Sequence, residues 1–126
     1  MSTRRADPET RRQIEISANR AGVDPDLLEA VYNKESSANP YQERVNDGGV
    51  PAYGPFQVHE DRARDNGFVG DPDALIPNPL YGNPNYPDAP PQVRTLDALP
   101  TNIDIAAKAL ADNNDVCQGD PSCLVA

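Results

Sequence analysis

The sequence predicts a single, mostly α-helical domain that carries one long proline-rich loop, and three observations support this. The chain has 126 residues, the length of one ordinary domain, so residues 1–126 are read as one unit. Asp-Pro pairs stand immediately before stretches whose apolar residues recur at helical spacing. Eight of the fourteen prolines lie between Asp71 and Pro100, where no helix could persist.

The elements follow in chain order. After Asp7-Pro8, the residues Ile14, Ala18 and Ala21 recur at i, i+4 and i+7, and Gly22 follows as a C-terminal glycine, which predicts a first helix over 9–21. After Asp24-Pro25, Leu27, Leu28, Val31 and Tyr32 form an apolar stripe that must end near Ser36 or Ser37, before Asn39-Pro40. These two helices read as a helical hairpin. From Pro40 to Val58, Asn46-Asp47-Gly48-Gly49 and two prolines predict turns or a short hairpin. His59–Asn66 is helix-compatible and stops at Gly67. Residues 71–100 are read as an extended surface loop, either a plain insertion or a lid. Thr101-Asn102-Ile103-Asp104 resembles a capping box and opens a last helix with Ile103, Ala106, Ala107 and Leu110 on one face. Asp120-Pro121 again has the chemistry of a helix start, so the expectation is that the domain continues past Ala126 or is completed by a partner chain.

Composition restricts function. Twenty acidic residues against eleven basic ones leave a net charge of −9, which repels phosphate backbones and anionic lipid surfaces, so neither nucleic acid nor membrane is an expected partner. No apolar run approaches the roughly 20 residues that span a bilayer. The N-terminal nine residues lack the apolar core of a signal peptide. Only 24 residues are Leu, Ile, Val or Phe, so the core is small. Cys117 and Cys123, in Cys-Gln-Gly-Asp-Pro-Ser-Cys, are spaced to close a small disulfide loop or to remain two thiols. With one histidine, His59, distant from both, no zinc site or other metal is expected, and no cofactor.

Glu35 is the residue with the most chemical content. It lies four residues after Val31 and seven after Leu28, which places it along the apolar stripe at a helix C-terminus. The helix dipole and apolar neighbours both disfavour a charged carboxylate there and raise its pKa, as a general acid requires. Spacing alone leaves a second reading open, an ordinary surface glutamate beside Lys34.

The string from Ala21 to Pro40, with Glu35-Ser36 at the end of a helix and Asn39-Pro40 just beyond, resembles the opening of the soluble-type lytic transglycosylase family. Tyr53-Gly54-Pro55-Phe56-Gln57-Val58 stands where that family carries Gly-Leu-Met-Gln, with Pro55-Phe56 in place of Leu-Met. Asn102-Ile103 and the alanine-rich run after it resemble the family's Asn-Ile helix. The three blocks keep the family order over residues 14–113; its Ala-Tyr-Asn-Ala-Gly segment is absent. The resemblance implies a lysozyme-like fold and cleavage of peptidoglycan glycan strands between N-acetylmuramic acid and N-acetylglucosamine. Glu35 matches the single catalytic carboxylate, which forms a 1,6-anhydro product. Gln57 is the expected contact for an N-acetyl group. Tyr53 and Phe56 are either sugar platforms or core residues, and Ser36 either holds Glu35 or merely ends the helix. Hydrolysis would instead need a second carboxylate, for which Asp47 and Glu43 are the candidates. A non-catalytic glycan-binding or virion structural module is the competing expectation. A wall substrate without a signal peptide suggests a virion-associated protein of a phage, with other virion proteins as partners.

Overall fold

The computed structural model describes residues 6–117. Helix α1 (Pro8–Ala21) starts where Asp7 accepts the Thr10 N–H at 3.2 Å, with Pro8 at a position that needs no donor. It ends at Gly22, whose left-handed φ of 76° lets the next amide, that of Val23, reach the Ala18 carbonyl at 2.9 Å. Helix α2 (Pro25–Ser36) repeats the design, with Asp24 accepting the Asp26 N–H and Ser37 in the left-handed region at its end. Arg11 fastens the pair, meeting Glu29 at 2.6 Å and Asp26 at 2.9 Å.

The expectation of a mostly α, lysozyme-like domain is corrected by the structure. Among the described residues the protein is a small mixed α/β domain with 46% helix and 13% strand, the strands forming two antiparallel sheets. In the first sheet β1 (Val45–Asp47), β2 (Val50–Tyr53) and β3 (Val58–His59) pair in sequence order. Asp47 pairs with Val50, so Gly48-Gly49 forms a two-residue loop. Both glycines have positive φ, 61° and 87°, which matches the twist of a tight hairpin and is costly for other residues. A short helix α3 (Glu60–Asp65) follows directly on β3.

The second sheet lies inside the segment read as an extended surface loop. Strands β4 (Leu75–Pro77) and β5 (Gln92–Arg94) pair antiparallel, with Leu75 opposite Arg94. The residues between them are organised by successive turns, in which Tyr81, Asn83, Tyr86 and Ala89 each donate an amide three residues back. Leu80, Tyr86 and Ala89 are buried, and the Tyr86 hydroxyl lies 2.9 Å from Thr10 Oγ1 on α1. Three-residue strands containing Pro and polar residues are too short to show a period of two, so the proline content concealed them.

Helix α4 (Leu99–Cys117) begins earlier than the Thr101 cap predicted, with Pro100 in its first turn and the Asn102 amide bonded to the Ala98 carbonyl at 2.8 Å. It packs across α1 and α2, and Ile14, Leu28, Tyr32, Leu96, Leu99 and Ile103 interlock there as the fully buried centre. Among the described residues no helix is long and apolar enough to cross a membrane. Cys123 and Asp120-Pro121 lie outside the described residues, so the predicted disulfide with Cys117 and the predicted further helix do too.

Candidate active site

Glu35 occupies the last turn of α2 and is half-buried. Burial is the main influence on its carboxyl and pushes the pKa above the ordinary glutamate value, while the positive charges of Lys34 and His59 pull it back. Among the described residues it takes no hydrogen bond and no ion pair, so its proton is available to an incoming group. Ser36 does not hold it. The Ser36 hydroxyl donates to the Tyr32 carbonyl at 2.9 Å and accepts the Asn39 amide at 3.3 Å, so its work is to end α2 and turn the chain.

The Gly54–Val58 turn packs against α2 through Phe56. Tyr32, one turn before Glu35, places its ring 5.4 Å from that of Phe56, and His59 is near enough for its charge to act on Glu35. Of the three residues expected to touch glycan, Tyr53, Phe56 and Gln57, only Gln57 remains half-exposed. Phe56 is 4% exposed and Tyr53 1%, so both are core residues with no free face for a sugar ring. The Tyr53 hydroxyl is also committed, donating to Asp73 Oδ1 at 2.9 Å, with the Arg44 guanidinium above its ring. Gln57 sits at a left-handed φ of 50°, held by its Nε2 donating to the Gly54 carbonyl at 2.9 Å. Its Oε1 has no partner among the described residues.

The anchor of this turn is Asn102, which is fully buried at the start of α4. Its Nδ2 donates to the carbonyls of Tyr53 and Leu96 at 2.9 and 2.8 Å, and its Oδ1 accepts the Phe56 amide at 2.7 Å. Gly54 presses against it at φ 70°, where a Cβ would overlap the Asn102 amide. Gly54→Ala is therefore expected to lose stability by about 2 kcal/mol or more, from left-handed strain and displacement of the Asn102 clasp. Urea unfolding measures this, and a loss below about 0.5 kcal/mol would show that the clasp adapts freely.

Sequence reasoning missed Asp97. It is buried between Leu96 and Ala98, just before α4, and an acidic residue within a Leu-Asp-Ala-Leu run was the available signal. Asp47 ends β1 at the hairpin tip, and Glu43 is exposed beyond α2, its carbonyl 3.5 Å from Gln57 Nε2. A cavity of about 600 Å³ lies elsewhere, bounded by Gln13, Ile16, Arg20, Phe68, Thr101 and Lys108, and contains none of the predicted site residues. Among the described residues no group of three or more His, Cys, Asp or Glu is placed to hold a metal. Compared with protein-family models, curated proteins and solved structures, the chain matches none.

Proposed function

We propose that the chain is a peptidoglycan lytic transglycosylase that cleaves the bond between N-acetylmuramic acid and N-acetylglucosamine. The observation that carries this reading is Glu35, a half-buried carboxyl without a partner among the described residues, its pKa raised by burial. Its place one turn after Tyr32, which packs on Phe56 of the Gln57 turn, supports it further.

The chemistry needs one carboxyl group. Glu35 donates its proton to the glycosidic oxygen as the C1–O bond breaks, and the positive charge at C1 is shared with the ring oxygen and the neighbouring acetamido group. The Glu35 carboxylate then takes the proton of the muramic acid 6-hydroxyl while O6 bonds to C1, which returns the acid to its starting state. The free Oε1 of Gln57 can accept an N–H from an acetamido group and fix the sugar relative to Glu35. The resulting glycan ends are 1,6-anhydromuramic.

Mass spectrometry of digested sacculi tests the reading. Products ending in 1,6-anhydromuramic acid are expected. Products heavier by one water would mean hydrolysis and would direct attention to Asp47 or Glu43 as the base. Sacculi that are bound but not cleaved would make the chain a glycan-binding module.

A further inference from the structure

The cavity of about 600 Å³ beside α1 and α4 takes no part in the chemistry at Glu35. Its size is that of a site for a small organic molecule. The walls are sides of the two helices, closed at one edge by residues 66–69. Part of this surface is aliphatic. Ile103 and Ile105 are buried in it, whereas Ile16 and Val69 remain 45% and 82% exposed, so an apolar group seated there would remove their surface from water.

The rest is polar and favours negative charge. Ser17 lines the cavity and is only 8% exposed, yet its hydroxyl has no hydrogen-bond partner among the described residues. The oxygen is not among the sealed-off polar atoms, so it opens onto the cavity and is available to a ligand. The first turn of α4 reaches the same cavity through Pro100 and Thr101. Its amides lack a cap, because Ala98 before it carries no side-chain oxygen and no acidic residue stands in that turn. Arg20 is exposed and makes no ion pair among the described residues, while Lys108 and Asp104 satisfy each other at 3.3 Å. A chain of net charge −9 thus presents an unpaired cation, a helix N-terminus and a free hydroxyl around one cavity.

We propose that this cavity binds a free aliphatic carboxylate, with the Ser17 hydroxyl, the first turn of α4 and Arg20 serving the carboxylate, and Ile16 and Val69 covering the hydrocarbon. The hydroxyl and the open amides donate to carboxylate oxygens, and the guanidinium supplies the opposite charge. Beyond their first turns, the main chains of α1 and α4 are hydrogen-bonded within the helices, so they offer no ladder to a peptide backbone. Side chains and one helix end do the reading, which suits a small molecule. The inference goes beyond the reaction at Glu35 and stands or falls separately from it.

NMR titration of the full chain with hexanoate tests the site. Saturating shifts of the Ser17, Thr101 and Val69 amides are expected. Binding should be at least about tenfold weaker for 1-hexanol, which lacks the charge, and for acetate, which lacks the hydrocarbon. Arg20→Gln should weaken hexanoate binding about tenfold, the loss of one charge-assisted hydrogen bond. Ser17→Ala, a substitution that a helix accepts readily, should weaken it about fivefold. Should a variant fold poorly, the two control ligands on the unaltered chain decide the matter. Tighter saturation by N-acetyl-Gly-Leu than by hexanoate would make the occupant a peptide and overturn the assignment. Shifts that never saturate, equal binding of hexanoate and either control, or full affinity in either variant would overturn it too.

Discussion

Glu35→Gln is expected to lower the rate of murein cleavage by about 10² to 10⁴, the usual worth of a general acid, while the protein remains folded. The sign of the stability change follows from burial. A carboxyl whose pKa is raised on folding contributes stability that is complete below its unfolded value and is lost as pH rises through the folded one. At neutral pH the uncharged Gln should therefore leave the protein as stable as before, or more so. The same shift governs activity, because the acid must enter the reaction protonated, so the rate should fall as pH rises through the elevated Glu35 pKa. Lys34 pulls that value down, so Lys34→Met should move the falling limb to higher pH. Turbidity clearing of purified sacculi across pH, with thermal unfolding in parallel, measures both effects. A variant that keeps more than about a tenth of the original rate would remove Glu35 from the role of acid.

Asn102→Leu carries the largest expected cost in stability, about 3 to 5 kcal/mol. The substitution keeps the branching and the number of side-chain heavy atoms but leaves the Phe56 amide and the Tyr53 and Leu96 carbonyls without the partner that now serves all three. These groups are buried, so water cannot replace the lost bonds without opening the junction between the β2–β3 turn and α4. Urea denaturation gives the magnitude. A loss under about 1 kcal/mol would show that the three groups find other partners. Because the turn also carries Gln57, any murein cleavage should fall with it even where the variant remains folded, whereas Glu35→Gln should leave the turn intact.

Local rules made the helical hairpin legible. Asp7-Pro8 and Asp24-Pro25 start α1 and α2 where capping chemistry predicts, and Gly22 ends α1 because its left-handed conformation is intrinsic to the residue. The place of Glu35 at the end of an apolar stripe was legible for the same reason, since helical spacing alone brings it there. Ser36 illustrates the limit. Its position after Glu35 suggested a partner for the acid, yet its hydroxyl turns back to Tyr32 and forward to Asn39, a choice between two local bonds that spacing does not make. Thr101 shows the same limit at α4, where the buried Leu96–Leu99 segment and Pro100 start the helix before the apparent capping box.

What the sequence determined by itself is the starts and stops of α1 and α2, a tight turn or short hairpin around Gly48-Gly49, and the placement of one carboxyl at a helix end, all consequences of backbone conformation within a few residues. The tertiary structure alone decided the two antiparallel sheets, the burial of Tyr53 and Phe56, the folding of the proline-rich segment onto α1 through Tyr86, and the enclosure of Asp97. Each of these depends on partners far apart in the chain: Asn102 reaches Tyr53 across 49 positions and Tyr86 reaches Thr10 across 76. Strands of three residues carry no periodic signal, and whether an aromatic ring or a carboxylate meets solvent or a wall is settled only when those distant segments pack.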